Sequence, residues 1–267
     1  MSGTKKSIGA ITVVVAAFGG AVMLGSAASA AVTGLQQIGP QSGQLTADVE
    51  GVGSIDVEVG GANMRIMFDD VDDAELRVEG GSTGGWRMRA DDGRLKVRGP
   101  DRGFDWWSPD WLRGDEQVTL VLPLALEGVD ADLTLQAGQL DVAGEFAGLE
   151  VDVNAGSLAL TGDARALDVE LNAGRAEVQL RGVEQAQYRI SAGRVVSTLT
   201  SVPDTVDFTV SAGALDLTLP DEEYDLRREV SAGSLDSSLD QSISSRHRIT
   251  GSVSAGSATL RPGGTAE

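Results

Sequence analysis

The stretch Leu149-Glu150-Val151-Asp152-Val153-Asn154-Ala155-Gly156-Ser157-Leu158-Ala159-Leu160 decides the fold. From Leu149 to Val153 apolar and acidic residues alternate, the period-2 pattern of a strand with one face buried and one in water. Ala155-Gly156 interrupts, and the alternation resumes at Leu158 with its phase shifted by one residue. A small residue followed by glycine suits a sharp corner, because glycine enters positive φ without a Cβ clash. The unit is therefore strand, Ala-Gly corner, strand, connecting turn.

The unit repeats. Ala-Gly recurs at 137–138, 155–156, 173–174, 192–193, 212–213, 232–233 and 255–256, at spacings of 18, 18, 19, 20, 20 and 23 residues. The residue three before each glycine is Leu135, Val153, Leu171, Ile190, Val210, Val230 or Val253, always apolar. Two after it stand Leu140, Leu158, Ala176, Val195, Leu215, Leu235 and Ala258, again apolar. One such unit cannot bury its own face, whereas stacking successive units does. An antiparallel sandwich also supplies short alternating strands, yet gives no reason for the same slot to keep the same chemistry. The expected fold is all-β: a single-stranded-repeat β-solenoid of about seven coils, each of 18–20 residues, with corners at Gly138, Gly156, Gly174, Gly193, Gly213, Gly233 and Gly256. An irregular β N-terminal part and one N-terminal apolar helix precede it.

Outward from the repeat, residues 131–260 form the regular part and 51–130 the irregular one. The latter keeps a degraded form of the pattern in Val57-Glu58-Val59, Gly60-Gly61 and Met64-Arg65-Ile66. Residues 261–267 read as a disordered tail and 36–50 as a polar linker. Between Lys6 and Asp48 there is no charged residue, and Ile8 to Leu24 is almost wholly apolar or small. Residues 8–35 therefore read as a transmembrane anchor or a signal peptide, the latter cleaved after Ala30 in Ala28-Ser29-Ala30. Lys5 and Lys6 keep residues 1–7 cytoplasmic, which places everything downstream outside. The expected location is the cell membrane, single-pass with an extracytoplasmic body, or secreted if cleaved.

The 267 residues carry 40 Asp+Glu against 21 Lys+Arg, a net charge of −19. Because Lys5 and Lys6 precede the linker, the exported part holds all 40 acids and 19 bases. That balance excludes nucleic acid as a partner, since phosphate contacts need clustered cations. With no cysteine and one histidine, disulfides, thiolate catalysis, Cys-ligated zinc and multi-His metal sites are all ruled out. Glycine, 35 residues in number, is in excess but belongs largely to corners rather than to disorder.

The signature Val210-Ser211-Ala212-Gly213-Ala214-Leu215-Asp216-Leu217, repeated at Val230-Ser231-Ala232-Gly233-Ser234-Leu235-Asp236 behind an apolar N-terminus, resembles the bacterial toastrack-type family of candidate adhesins. The resemblance covers roughly residues 50–260. It implies an all-β, extracytoplasmic, non-enzymatic domain, often associated with envelope-stress membrane proteins. It supplies no catalytic motif.

Three features bear on chemistry. Phe104, Trp106, Trp107 and Trp111 cluster between two strand-like segments as a candidate contact loop. Exposed Trp offers large contact area at low entropic cost, but a hydrophobic plug over the open end of the stack is the favoured reading, and a cap and a contact site are not exclusive. Contact with a membrane interface is a third reading. Next, Asp132, Glu150 and Asp168 each stand six residues before a corner glycine, which in a parallel stack puts them ~5 Å apart. Calcium would relieve the repulsion, but the calcium-binding Gly-Gly-x-Gly-x-Asp repeat is missing and neighbouring slots can supply Arg. The ladder is therefore taken as a solvated face. Lastly, His247, in Ser244-Ser245-Arg246-His247-Arg248, reads as a surface loop residue. No catalytic, metal or cofactor-binding residue is assigned.

The expected function is a membrane-tethered, non-enzymatic adhesin-like or envelope-binding module, its partner an envelope polysaccharide or a membrane protein. The alternatives are an extracytoplasmic sensory or regulatory module of an envelope-stress system and, less favoured, a β-helical enzyme acting on polysaccharide.

Overall fold

The computed structural model describes residues 43–80, 83–100 and 116–263. Seventeen strands join into a sheet that folds back on itself. In chain order they are β1 (Gly43–Ala47), β2 (Ser54–Val59), β3 (Ala62–Asp69), β4 (Ala74–Glu79), β5 (Arg87–Asp91), β6 (Arg94–Arg98), β7 (Gln117–Pro123), β8 (Asp130–Leu135) and β9 (Gly138–Val153). There follow β10 (Gly156–Leu171), β11 (Gly174–Arg181), β12 (Gln185–Leu199), β13 (Thr205–Pro220), β14 (Asp225–Val230), β15 (Ser234–Ser237), β16 (Arg248–Val253) and β17 (Ser257–Gly263). Among the described residues no helix is long and apolar enough to cross a membrane. The anchor or signal segment 8–35 lies outside them.

From β8 to β13 every pairing is parallel, the arrangement of stacked coils and not of an antiparallel sandwich. Each coil lays one strand on a first face before its corner and one on a second face after it. Neighbours sit one repeat apart: Val153 between Leu135 and Leu171, Leu158 between Leu140 and Ala176. The two faces meet over a core one side chain deep from each. Leu135, Val153 and Leu171 are fully enclosed there, as are Leu140, Ala176 and Val195. Each large aliphatic side chain removed from water in this way contributes about 1.5–3 kcal/mol. The core also holds a satisfied polar pair, Tyr188 Oη and Ser197 Oγ at 2.7 Å. Burial pushes the Tyr188 hydroxyl well above its usual range despite that bond.

The corners need glycine for two reasons. Gly156 and Gly174 both adopt φ of +123°, and a Cβ on Gly174 would overlap the carbonyl oxygen of Gly156 in the coil beside it. The backbones of successive corners thus touch, and the polar residue ahead of each corner extends the contact. Asn154 donates to Gln136 at 3.1 Å and Asn172 to Asn154 at 3.2 Å, forming an amide ladder along the edge.

At its two ends the stack abandons chain order. β2 lies between β6 and β8, and β3 between β7 and β9, so the first coil is enclosed by the second and the third. Likewise β16 lies between β13 and β14, and β17 between β13 and β15. The last coil therefore sits one rung inside the end, and the coil before it is outermost. Val230, in the same slot as the enclosed Val210 and Val253, is consequently 41% exposed. At the N-terminal end β5 pairs antiparallel with β6, β4 antiparallel with β7, and β1 antiparallel with β4.

Two boundaries move. Gly43–Ala47 of the expected linker is strand β1, because Leu45 and Ala47 pack against the core while the backbone pairs with β4. The expected tail begins later than 261, since Arg261, Pro262 and Gly263 continue β17 in register with Thr218, Leu219 and Pro220.

Candidate binding face

The first face presents two outward rows of side chains, each one residue per rung. Parallel pairing sets the rungs about 4.8 Å apart. One row runs Lys96, Asp56, Asp132, Glu150, Asp168, Gln187 and Asp207, each the register partner of the next. The other, two residues along, runs Arg98, Glu58, Thr134, Asp152, Glu170, Arg189 and Thr209. The three carboxylates singled out in the sequence are thus direct neighbours.

Arginines compensate the charge on both sides of the centre. Arg98 bridges Glu58 at 2.8 Å and Asp56 at 3.0 Å. Arg189 donates to both oxygens of Asp168, at 2.9 and 3.1 Å, and approaches Glu170 at 3.8 Å. Between these clamps, Asp132, Glu150 and Asp152 have no ion pair or hydrogen bond from a side chain among the described residues. Glu150 and Asp152 are held above their ordinary carboxylate values, first by partial burial and then by the carboxylates around them. Asp132 and Asp168 act on both, and Arg189 only partly offsets them.

An open groove of about 560 Å³ follows this face, with Asp130, Asp132, Glu150, Asp168, Gln187 and Asp207 along it. Asp130 is committed to structure, accepting from the Gly148 amide at 2.9 Å. Asp132, Glu150 and Asp207 offer carboxylate oxygens, Gln187 an amide, and Asp168 a carboxylate already clamped by Arg189. Such a surface can hold a long, hydrogen-bonding or cationic ligand by many weak contacts. Among the described residues no three His, Cys, Asp or Glu side chains converge as a metal site.

The seven corner glycines line one edge of the stack, Gly138 against Ala62 at one end and Gly256 between Gly213 and Gly233 at the other. Phe104, Trp106, Trp107 and Trp111 lie outside the described residues. In the chain they fall between β6, which ends at Arg98, and β7, which starts at Gln117. At the start of β7 Trp86, itself buried, donates from Nε1 to Glu116 at 2.8 Å.

His247 is more deeply set than a surface loop residue. Its Nδ1 donates to Pro203 O at 2.8 Å, Nε2 accepts from Arg246 Nε at 3.1 Å, and its ring meets Tyr224 edge-on at 6.2 Å. Both ring nitrogens are thus engaged, Nδ1 joining the 240s loop to the neighbouring coil and Nε2 bonding within the loop. The Tyr224 hydroxyl, which donates to Pro220 O at 3.0 Å, is pushed up to about 12 by burial and by Glu222 and Asp221. The Arg189 clamp was not anticipated as such. Its signal lay in the slot four before each corner glycine, where Thr134, Asp152, Glu170 and Arg189 follow one another.

A coil with an Ala-Gly corner, stacked in parallel and displaying an acidic face, defines the class, and the sequence match agrees with it. Residues 52–260 match the family described as Toastrack DUF4097, and the chain belongs to that family. No curated protein matches the sequence. Among solved structures it is similar to a candidate adhesin from Bacteroides fragilis, at 13% identity and a TM-score of 0.44, covering 83% of this chain and 97% of that one. It is also similar to a candidate cell adhesion protein from Clostridium sporogenes, at 12% identity and a TM-score of 0.37, covering 84% and 100%. A candidate lipid-binding protein from Parabacteroides distasonis is 11% identical with a TM-score of 0.42, covering 85% and 98%. Family membership rests on the sequence match alone.

Proposed function

We propose that this chain is an exported cell-surface module that binds an envelope component without catalysing a reaction on it. Its stack of Ala-Gly coils is held at the membrane by an N-terminal helix within residues 8–35. The observation that carries this reading is the repeated face: carboxylates recur at one position in rung after rung, joined by the amide of Gln187, as suits an extended ligand. An enclosed cleft around one reacting atom would be built differently. Toastrack membership supports the same reading. The aromatic residues Phe104, Trp106, Trp107 and Trp111, between β6 and β7 in the chain, add a second contact. A polysaccharide offers hydroxyls for the carboxylate rows and sugar faces for the Trp rings, and is the favoured ligand class.

Two measurements test this. Intact cells making the full chain are treated with protease: loss of the body with retention of a membrane-bound N-terminal fragment is expected, and full protection overturns export. Cells displaying the chain are then compared on surfaces coated with purified envelope polysaccharide. Replacing Trp106, Trp107 and Trp111 together with Ala is expected to lower retention about tenfold or more. Retention equal to that of the parent, with the protein still displayed, rejects the contact loop.

A further inference from the structure

Both permuted junctions of the stack are built on the same contact. At the C-terminal junction Gly251 of β16 is the register partner of Phe208 on β13, and any Cβ at Gly251 would overlap the Phe208 ring. At the N-terminal junction a Cβ on Gly144 of β9 would overlap the ring of Phe68 on β3. That ring also packs edge-on against Phe146, with centroids 5.6 Å apart. Phenylalanine occurs at only three described positions, 68, 146 and 208. Two of them fill the space of a missing side chain where a coil has been inserted out of order.

The competing order at the C-terminal end is easily written down. Strands β14 and β16 are both in register with the same rung, so that Thr205, Arg248 and Asp225 share one level, as do Phe208, Gly251 and Arg228. In chain order β14 would follow β13 directly, and the remaining slots allow it: Leu226 and Val230 would stand where Ile249 and Val253 do. The exception is Arg228. Beside Phe208 it would drive a guanidinium into the core with no carboxylate to meet it, so the desolvation of the charge would go uncompensated. On the outermost rung the same residue is exposed, where an inward-set charge also discourages further strands from adding to the edge.

We infer that the residue facing Phe208, Gly251 in one coil against Arg228 in the other, selects which of the two C-terminal coils lies against β13, so that the last coil is inserted and the one before it is displaced outward. At the other end the Phe68–Gly144 contact likewise marks the inserted coil. The insertion gives the final coil hydrogen-bonded neighbours on both edges, whereas chain order would leave it on the outside.

The chain has no cysteine, so pairs of introduced cysteines report the order directly in the full-length protein. Thr209 and Ser252 are register partners in the inserted order. Thr209 and Glu229 become partners only in chain order, since Glu229 now pairs with Ser252 on its far side. In the parent, mild oxidation should link Thr209→Cys to Ser252→Cys and fail to link Thr209→Cys to Glu229→Cys. Arg228→Gly, at an exposed position, should allow the second link to form alongside the first. Adding Gly251→Leu should make the second link dominate and abolish the first. If Arg228→Gly leaves the parental pattern untouched, the order is set elsewhere and the inference fails, and that readout stands even where the Gly251→Leu variant does not fold. Persistence of the Thr209–Ser252 link in a folded Arg228→Gly/Gly251→Leu protein overturns it equally.

Discussion

The middle of the stack and its two ends use the same alternating sequence to different effect. Between β8 and β13 a residue's place follows from its distance to the nearest corner glycine, and its neighbours are the equivalent residues one repeat away. At the ends the same slots are filled, but by coils taken out of chain order, and single residues such as Gly251 and Arg228 carry the distinction. Periodicity specifies a stack; departures from periodicity specify which rung goes where.

The sharpest break of this contrast is at a corner. Gly174→Val meets both a forbidden backbone conformation and the Gly156 carbonyl, and should cost more than about 4 kcal/mol or prevent folding. Gly51→Ala, at φ +75° with nothing within 4 Å of its Cβ, should cost only about 1–2 kcal/mol. Urea unfolding of both variants compares them, and equal losses would mean that inter-coil contact is not what restricts the corner.

One step smaller is the core slot itself. Leu171→Ala, fully enclosed in the middle, should lose about 2–5 kcal/mol. Val230→Ala occupies the equivalent slot on the outermost rung and, at 41% exposure, should stay within about 0.5 kcal/mol of the parent. Similar losses from the two would place β14 inside the stack, not at its end.

The smallest effects belong to the acidic face. Arg189→Met removes the clamp on Asp168 and Glu170 and should cost up to about 1 kcal/mol at neutral pH, less at high salt. The pair Glu150→Gln with Asp152→Asn should act in the opposite direction. Both carboxyls have folded-state values raised above 4.5 and 3.8, so the folded protein holds their protons more tightly than the unfolded chain does. Stability from these groups is therefore lost as pH rises from those ordinary values through the raised ones. The double variant should be more stable than the parent at pH 7 by roughly 0.5 kcal/mol, and the advantage should vanish below about pH 4. Denaturant midpoints across that range provide the check; an advantage independent of pH would remove charge crowding as its cause.

Much of this was legible in the residues. The strand pattern, the corners, the buried slots and the adjacency of Asp132, Glu150 and Asp168 all follow from alternation and spacing. Rung order does not, because Leu226/Val230 and Ile249/Val253 satisfy the same apolar pattern and either coil could be laid against β13. What separates them is the volume facing the Phe208 ring, visible only when neighbours in space are known. β1 is not legible in the sequence, because Gly43–Ala47 is short, lies in a polar run and gains its partner from β4 rather than from a repeat. That a neighbouring slot can supply an arginine is legible, but which carboxylates Arg189 clamps is not: it stands in the same slot as Asp152 and Glu170, and its reach to Asp168 spans rungs.

Because the out-of-order coils are confined to the ends, the molecule has a natural place to change length. Duplicating one coil of 18–20 residues between β9 and β13 would leave both junctions untouched and add one spacing of about 4.8 Å. The same event at either end would separate a phenylalanine from its glycine. Length in such a protein is therefore quantised, with extension or shortening by gene duplication and deletion permitted in the interior alone. The acidic face would grow with it, rung for rung, like graduations on a ruler whose two end-stops stay the same.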